Sequence, residues 1–504
     1  MLDLQLISIG VPIRGKREAA MAYDRLSPQD ASFLHIEDAV THMHIGSVSI
    51  MEGPAPAYEA VRDMVAGKLP LVRRYRQVVR PVPLDLGRPV WADDPHFNLE
   101  YHVRHTALPQ PGSEQELRNL VGRLMAQKLD RAKPLWEMWM VEGLCDDQWA
   151  LISKVHHCMV DGVSGTDLLG LILDTSPDPV KEDPGEWMAT PAPAGWELAA
   201  EAVVAMVTSP FEMARLARAQ TRVPRRAAGQ MVELISGLRD TVGTMRSMSS
   251  DTLNGPIGPH RRWVSTSLPV ADVKTVRQTL GGTFNDVVLA AITKGFRDLL
   301  ESRGESTEHP IRTLVPVSVR PRDATGRAVG DGTLANKVSA VFADLPVGIA
   351  DPVERLRSVS AQMSGLKESK QALAAESLTH MTGFAPPILL SLAGRLGTKV
   401  SQRTVNTVTT NVPGPQIPLY AVGRRMIKIF PFVPLAVQLR VGVAIFSYDG
   451  VVSFGITGDY DGAPDIQVLA DGIQAGMAEL LSIDGSETIV DLRRSKRDPE
   501  MSKN

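Results

Sequence analysis

Two stretches of alternating strand and helix patterns, about 26–173 and 260–481, are separated by a long segment of different composition. This break constrains the fold more than any other feature. Residues 176–193 are rich in Pro, Asp and Glu, which marks a linker. Residues 199–248 read as helix, rich in Ala, Met and Arg, and 254–259 form a second loop. A chain of 504 residues exceeds one ordinary core. Its 43% apolar content is enough for two. The expected fold class is α/β (α+β), with two domains of mixed sheet and helix joined by a helical linker. The expected divisions are an extension at 1–20, a first domain at 21–180, the linker at 181–259, a second domain at 260–490 and a polar tail at 491–504. Met21 is a candidate start, which makes 1–20 a dispensable extension.

Within the first half, Ser27 reads as a helix N-cap with Pro28 at the first helical position. Residues 40–51 suggest a strand and 57–69 a helix. Residues 113–129 give an amphipathic helix with Leu117, Leu120, Val121, Leu124 and Met125 on one face. Two strands, 135–142 and 149–155, are expected about a turn at 145–148. The second delivers His156 and His157 at its end, and Asp161-Gly162 turns the chain into a helix to about 173. In the second half, strands are expected at 262–269, 311–319, 336–342 and 405–411, and helices at 284–300 and 351–368, with a further helical stretch to 396. A hairpin at 437–448 and 451–460 turns through Asp449-Gly450, and a closing helix spans 465–481.

Composition excludes several classes. The formal net charge of −3 gives no overall basic field for nucleic acid. Two cysteines make neither a disulfide framework nor a zinc cage, and a reducing cytoplasm fits them. Neighbours on a strand face opposite ways, which argues against a thiol–imidazole dyad of Cys158 and His157. The N-terminus opens without a basic region or a small-residue cleavage site, so it does not read as a signal peptide. No uninterrupted apolar run reaches the roughly 18 residues of a membrane span.

The chemistry concentrates in His156-His157-Cys158-Met159-Val160-Asp161-Gly162. A neutral imidazole can take a proton from a hydroxyl near neutral pH. A base at a strand end, beside a tight turn, sits at the mouth of a cleft. Gly162 allows a sharp bend. Paired histidines alone are more often one packed residue and one surface residue, and the spacing to Asp161 and Gly162 changes those odds. No His-Glu-x-x-His helix or Gly-x-Ser-x-Gly elbow is present, and Gly162-Val163-Ser164-Gly165 falls one residue short of the elbow. The lack of a serine-nucleophile motif favours direct attack by a substrate hydroxyl over a covalent acyl-enzyme.

His156-His157-x-x-x-Asp161-Gly162 resembles the signature of the chloramphenicol-acetyltransferase-like superfamily. Four further segments resemble the bacterial wax ester synthase/acyl-CoA:diacylglycerol acyltransferase family. They are Leu26-Ser27-Pro28-x-Asp30-x-x-Phe33-Leu34, Pro134-Leu135-Trp136, Phe284-Asn285-Asp286-Val287-Val288-Leu289-Ala290 and Asn411-Val412-Pro413-Gly414-Pro415.

The resemblance implies two chloramphenicol-acetyltransferase-like domains with a tunnel at their interface. It implies acyl transfer from acyl-CoA, a co-substrate, to diacylglycerol or a fatty alcohol, with no cofactor and no metal. His157 is then the general base. His156 and Asp161 support the motif. Asn285 holds the oxyanion or substrate, or merely caps its helix. Asp286 reads as structural and Trp136 as a core aromatic. The arginine run Arg215, Arg218, Arg222, Arg225 and Arg226 is either a solvated face or a patch for the phosphates of CoA or anionic lipid. The expected location is cytoplasmic, at the inner membrane face or on lipid inclusions. A stand-alone condensation-type enzyme and a non-catalytic lipid-surface protein are the alternatives.

Overall fold

The computed structural model describes residues 23–159, 172–178, 185, 187–204, 252–318, 338–368, 405–436 and 438–483. The first half runs α1 (Pro28–Ile36), β1 (His44–Met51), α2 (Tyr58–Lys68), β2 (Gln77–Arg80), β3 (Val90–Asp93), α3 (Leu99–His102), β4 (Val103–Ala107), α4 (Glu114–Met125), β5 (Trp136–Glu142) and β6 (Trp149–His156), then a short 3-10 turn at His157–Met159. The second half runs β7 (Arg261–Pro269), α5 (Val270–Leu280), α6 (Phe284–Ser302), β8 (Ile311–Ser318), β9 (Val338–Leu345), α7 (Pro352–Glu368), β10 (Thr407–Pro413), β11 (Tyr420–Ala421), β12 (Arg424–Phe432), β13 (Val441–Tyr448), β14 (Val451–Asp459) and α8 (Ile466–Leu481).

Two six-stranded mixed sheets carry the molecule, with strand orders β11-β12-β1-β6-β5-β4 and β7-β14-β13-β10-β8-β9. The sheets do not follow chain order. β12, from the second half, pairs antiparallel with β1 and lies inside the first sheet. Residues 40–43 stay outside the first strand, which starts at His44 and sets His44 opposite His156. The Asp449-Gly450 hairpin forms as its turn chemistry predicts, with both residues at positive φ.

Local signals account for the elements around the site. Ser27 accepts a hydrogen bond from the Asp30 N–H at 3.1 Å, with Pro28 at the first helical position. Ser113 and Glu116 close a capping box on α4, whose apolar face is the one the sequence pattern picks out. That face packs on β1 and β6 and also meets Trp263 of β7. The halves therefore join across α4. The approach is close: a Cβ on Gly122 would lie 2.7 Å from the Arg261 carbonyl oxygen. Trp136 is buried, with its Nε1–H donating to the Tyr75 carbonyl at 2.8 Å, as a core aromatic should be. In the second half α6 and α8 pack together, and Val288, Ile292, Phe296, Leu469 and Ile473 form part of the core.

The candidate active site

The end of β6 places two consecutive histidines in different surroundings. The His156 N–H donates to the Leu135 carbonyl at 2.9 Å, and the His157 N–H donates to the Met43 carbonyl at 2.8 Å. Both main chains are thus held by neighbouring segments. The turn at His157–Met159 packs against α1, and the His157 ring stacks on Phe33 with centroids 3.9 Å apart. This contact ties the Ser27 to Leu34 segment to the histidine motif. The Ser27 cap sets the start of α1, and Phe33 then supports the ring.

Burial lowers the proton affinity of His157 below that of a free imidazole, and its own main chain pulls the other way and loses. The ring is therefore neutral at neutral pH. Its Nδ1 is buried.

His156 is fully buried. Its Nδ1 accepts the Cys158 N–H at 3.2 Å, so Nε2 carries the proton in the neutral ring. That Nε2 lies 3.7 Å from Glu37 Oε1, longer than a hydrogen bond. Burial pushes the His156 pKa down to about 4, against the pull of Glu37. Arg131 Nε and Nη2 both donate to Glu37 Oε2, at 3.0 and 2.7 Å. The guanidinium thus balances the carboxylate and His156 stays neutral. Cys158 lies in the 3-10 turn rather than on the strand, and burial pushes its thiol up, away from nucleophile chemistry.

Two more histidines close the neighbourhood. His42 and His44 precede and begin β1, with ring centroids 5.8 Å apart. His44 Nε2 is 2.7 Å from the Met125 carbonyl at the end of α4. Lys154 Nζ donates to the Leu124 carbonyl at 3.0 Å and to that of Gln127. A helix C-terminus leaves carbonyls without partners, and its dipole favours a cation there. Burial still pushes Lys154 down to about 8. From the second half, Arg261 donates to the Val40 carbonyl and so fixes the segment that leads into β1.

Asn285 takes a different place from a helix cap. Thr283 caps α6, in a capping box with Asp286, whose carboxylate also accepts the Ser360 hydroxyl at 3.0 Å. Asp286 is structural, and the capping alternative for Asn285 is overturned by the Thr283-x-x-Asp286 geometry. Asn285 Oδ1 instead accepts Asn411 Nδ2–H at 3.0 Å. One hydrogen bond therefore joins two of the sequence segments singled out above. No hydrogen bond, ion pair or ring contact joins Asn285 to His157 among the described residues. Asp161, Gly162, the arginine run Arg215 to Arg226 and the helical stretch at 369–396 lie outside the described residues.

Sequence reasoning missed Glu37, Arg131 and His44. Glu37 had left a signal. It is the C-cap of α1, where a carboxylate opposes the helix dipole, so a cation from elsewhere had to balance it.

Comparison with known proteins bears on this arrangement. The family model for the wax ester synthase/diacylglycerol acyltransferase catalytic domain matches residues 26–288. The model for the WS/DGAT C-terminal domain matches 334–481. The chain is 38% identical over 463 residues to a probable diacylglycerol O-acyltransferase of Mycobacterium tuberculosis, covering 91% of this chain and 96% of that one. The solved wax ester synthase/diacylglycerol acyltransferase of Marinobacter aquaeolei is similar in structure, with a TM-score of 0.63 at 27% identity, over 91% of this chain and 98% of that one. The first condensation domain of the calcium-dependent antibiotic synthetase shares the fold, with a TM-score of 0.54 at 17% identity, over 92% and 97% of the two chains.

Proposed function

The chain belongs to the wax ester synthase/diacylglycerol acyltransferase family, and from that premise we propose that it transfers a long-chain acyl group from acyl-CoA to the hydroxyl of diacylglycerol, making triacylglycerol, with fatty alcohols as alternative acceptors that give wax esters. The observation that carries the reading is the placement of the His157 imidazole at the end of β6, stacked on Phe33, with its main-chain N–H held by the Met43 carbonyl.

The step follows from that placement. His157 takes the proton of the acceptor hydroxyl as its oxygen attacks the thioester carbonyl carbon. Nδ1 is buried, which leaves Nε2 for the substrate. The tetrahedral oxyanion collapses, the carbon–sulfur bond breaks, and the CoA thiolate leaves with the proton from the imidazolium. Atoms and charge balance without a further group. Substrates meeting in a tunnel between two domains, 21–180 and 260–490, gain proximity and lose competing water.

Asn285 is our second site residue. Asn411 fixes its carbonyl, which leaves the amide N–H groups to donate to substrate or oxyanion. It sits in the first turn of a 19-residue helix, whose dipole favours negative charge there. His156 and Asp161 are positioning residues in this reading. Both acceptors are insoluble, so we place the enzyme at a membrane or lipid-inclusion surface. Among the described residues, no helix is long and apolar enough to cross a membrane.

The direct test supplies labelled palmitoyl-CoA with dioleoylglycerol and hexadecanol in competition. Labelled triacylglycerol is expected, with wax ester as the minor product. No labelled neutral lipid of either kind would overturn the proposal. A pH profile tests the base. Protonation switches it off, and its pKa lies below the ordinary 6.5. The rate of the chemical step should stay level from pH 8 to below 6.5, then fall one decade per pH unit. An acidic limb centred at or above 6.5 would contradict the assignment.

A further inference from the structure

A second feature lies where the two halves meet. Beside the contact of α4 with β7 and the start of α8 is a cleft of about 940 Å³. That volume is in the range of small-molecule sites, which run from roughly 300 to 1,000 Å³. Its walls carry Arg118, Arg123, His260, Arg261, Arg262 and Tyr460, and no carboxylate is among its described lining residues. A wall of one charge sign focuses the field on whatever enters.

The cations differ in how they are engaged. Arg261 is buried and committed to main-chain carbonyls. Arg118 pairs with Glu114 at 3.0 Å and with Gln467 at 2.9 Å, yet its Nε is buried without a partner. Arg123 is exposed on the same helix face, with no partner among the described residues. Arg262 Nε donates to the Tyr460 carbonyl at 2.7 Å, and its guanidinium lies 4.0 Å from the centroid of the ring of Tyr460, a residue 45% exposed. Planar guanidinium forks recognise phosphate oxygens in pairs, and an exposed ring beside them suits a purine face.

The cleft is also close to the histidines. Arg261 in its wall donates to the Val40 carbonyl, and the Met43 carbonyl accepts the His157 N–H. The chain from Val40 to Met43 spans at most about 10 Å. An extended pantetheine arm is longer than that.

We infer that this cleft seats the adenosine end of acyl-CoA, with Arg118, Arg123 and Arg262 on its phosphates and Tyr460 against the base. The inference rests on the acyl-CoA reading above and deepens it. The thioester end then points towards His157.

The test uses the full-length chain with Arg123→Glu and Arg262→Glu. Adenosine 3′,5′-bisphosphate binding is measured by calorimetry, which needs no turnover. Each variant should bind it roughly tenfold more weakly, the loss of one charge-assisted contact. In turnover, KM for palmitoyl-CoA should rise by a similar factor with kcat within twofold. Palmitoyl-pantetheine, which lacks those phosphates, should show no change. Bisphosphate binding without any acyl transfer supports the cleft and removes the acyl-transfer reading. Acyl transfer with unchanged palmitoyl-CoA KM in both variants overturns the cleft assignment, as does equal weakening of both donors. Flotation on phosphatidylglycerol vesicles separates the other source of phosphate. Loss of vesicle binding with bisphosphate binding intact overturns the inference in favour of a lipid headgroup.

Discussion

His157→Ala should lower kcat by a factor of roughly 10² to 10⁴, the usual contribution of a positioned general base. That range corresponds to about 3–5 kcal/mol of transition-state stabilisation. The fold should survive the change. The structural hydrogen bond of this residue runs from its main-chain N–H to Met43, and alanine keeps it. The lost stack on Phe33 removes about 0.5–1.5 kcal/mol of aromatic pairing. His157→Gln is the sharper variant, because it can still hydrogen-bond but cannot carry the proton. It should fall as far as alanine. His156→Ala should behave differently. It empties a fully buried site and releases the Cys158 N–H, so thermal stability drops along with activity. Labelled triacylglycerol from His157→Ala within tenfold of the parent rate, at matched folded concentration, would remove His157 from the base role.

The legible parts of this molecule are those whose causes lie within a few residues. Ser27-Pro28 starts α1, the Ser113/Glu116 box starts α4, and Asp449-Gly450 turns β13 into β14. The histidine pair at the end of β6 was legible because strand patterning ends there. The Thr283-x-x-Asp286 box is equally local, and it takes the cap position that the sequence also offers to Asn285. What was not legible depends on partners far along the chain. Glu37 finds Arg131 94 positions later. Asn411 finds Asn285 across 126 positions. β12 was the largest omission. Pro431 has no N–H to give a ladder, so the segment does not read as a central strand. The structure tolerates it because β11 flanks β12 only at Arg424 and Arg425, which leaves Pro431 with a single strand neighbour, β1. Nothing near residue 430 announces a pairing with residue 48.

That crossing yields the second large effect. β12 passes over β14 on its way into the first sheet, and Gly455 lies under it. A Cβ at this position would stand 1.6 Å from the Pro431 carbonyl oxygen and 2.8 Å from its carbon. The obstacle is main chain, so no rotamer relieves it. Nor is the main chain free to lift. Pro431 is paired opposite Ser47 of β1, and its carbonyl accepts Trp263 Nε1–H at 3.3 Å. Gly455→Ala should therefore cost at least the upper end of the roughly 1–3 kcal/mol typical of overpacking. Gly455→Val adds two methyl groups to the same clash. Against a total stability of about 5–15 kcal/mol, it should abolish most of the soluble folded protein. Gly365→Ala is the control. A Cβ there meets nothing within 4 Å, and alanine inside α7 should gain about 0.8–1 kcal/mol. The damage should also reach the chemistry, because β12 supports β1, and β1 supports the strand that ends in His156. Surviving Gly455→Ala should thus lose acyl transfer at temperatures below its unfolding midpoint. An unfolding midpoint equal to the parent's would show that the crossing yields without cost, and that β12 is not the fixed joint between the two sheets.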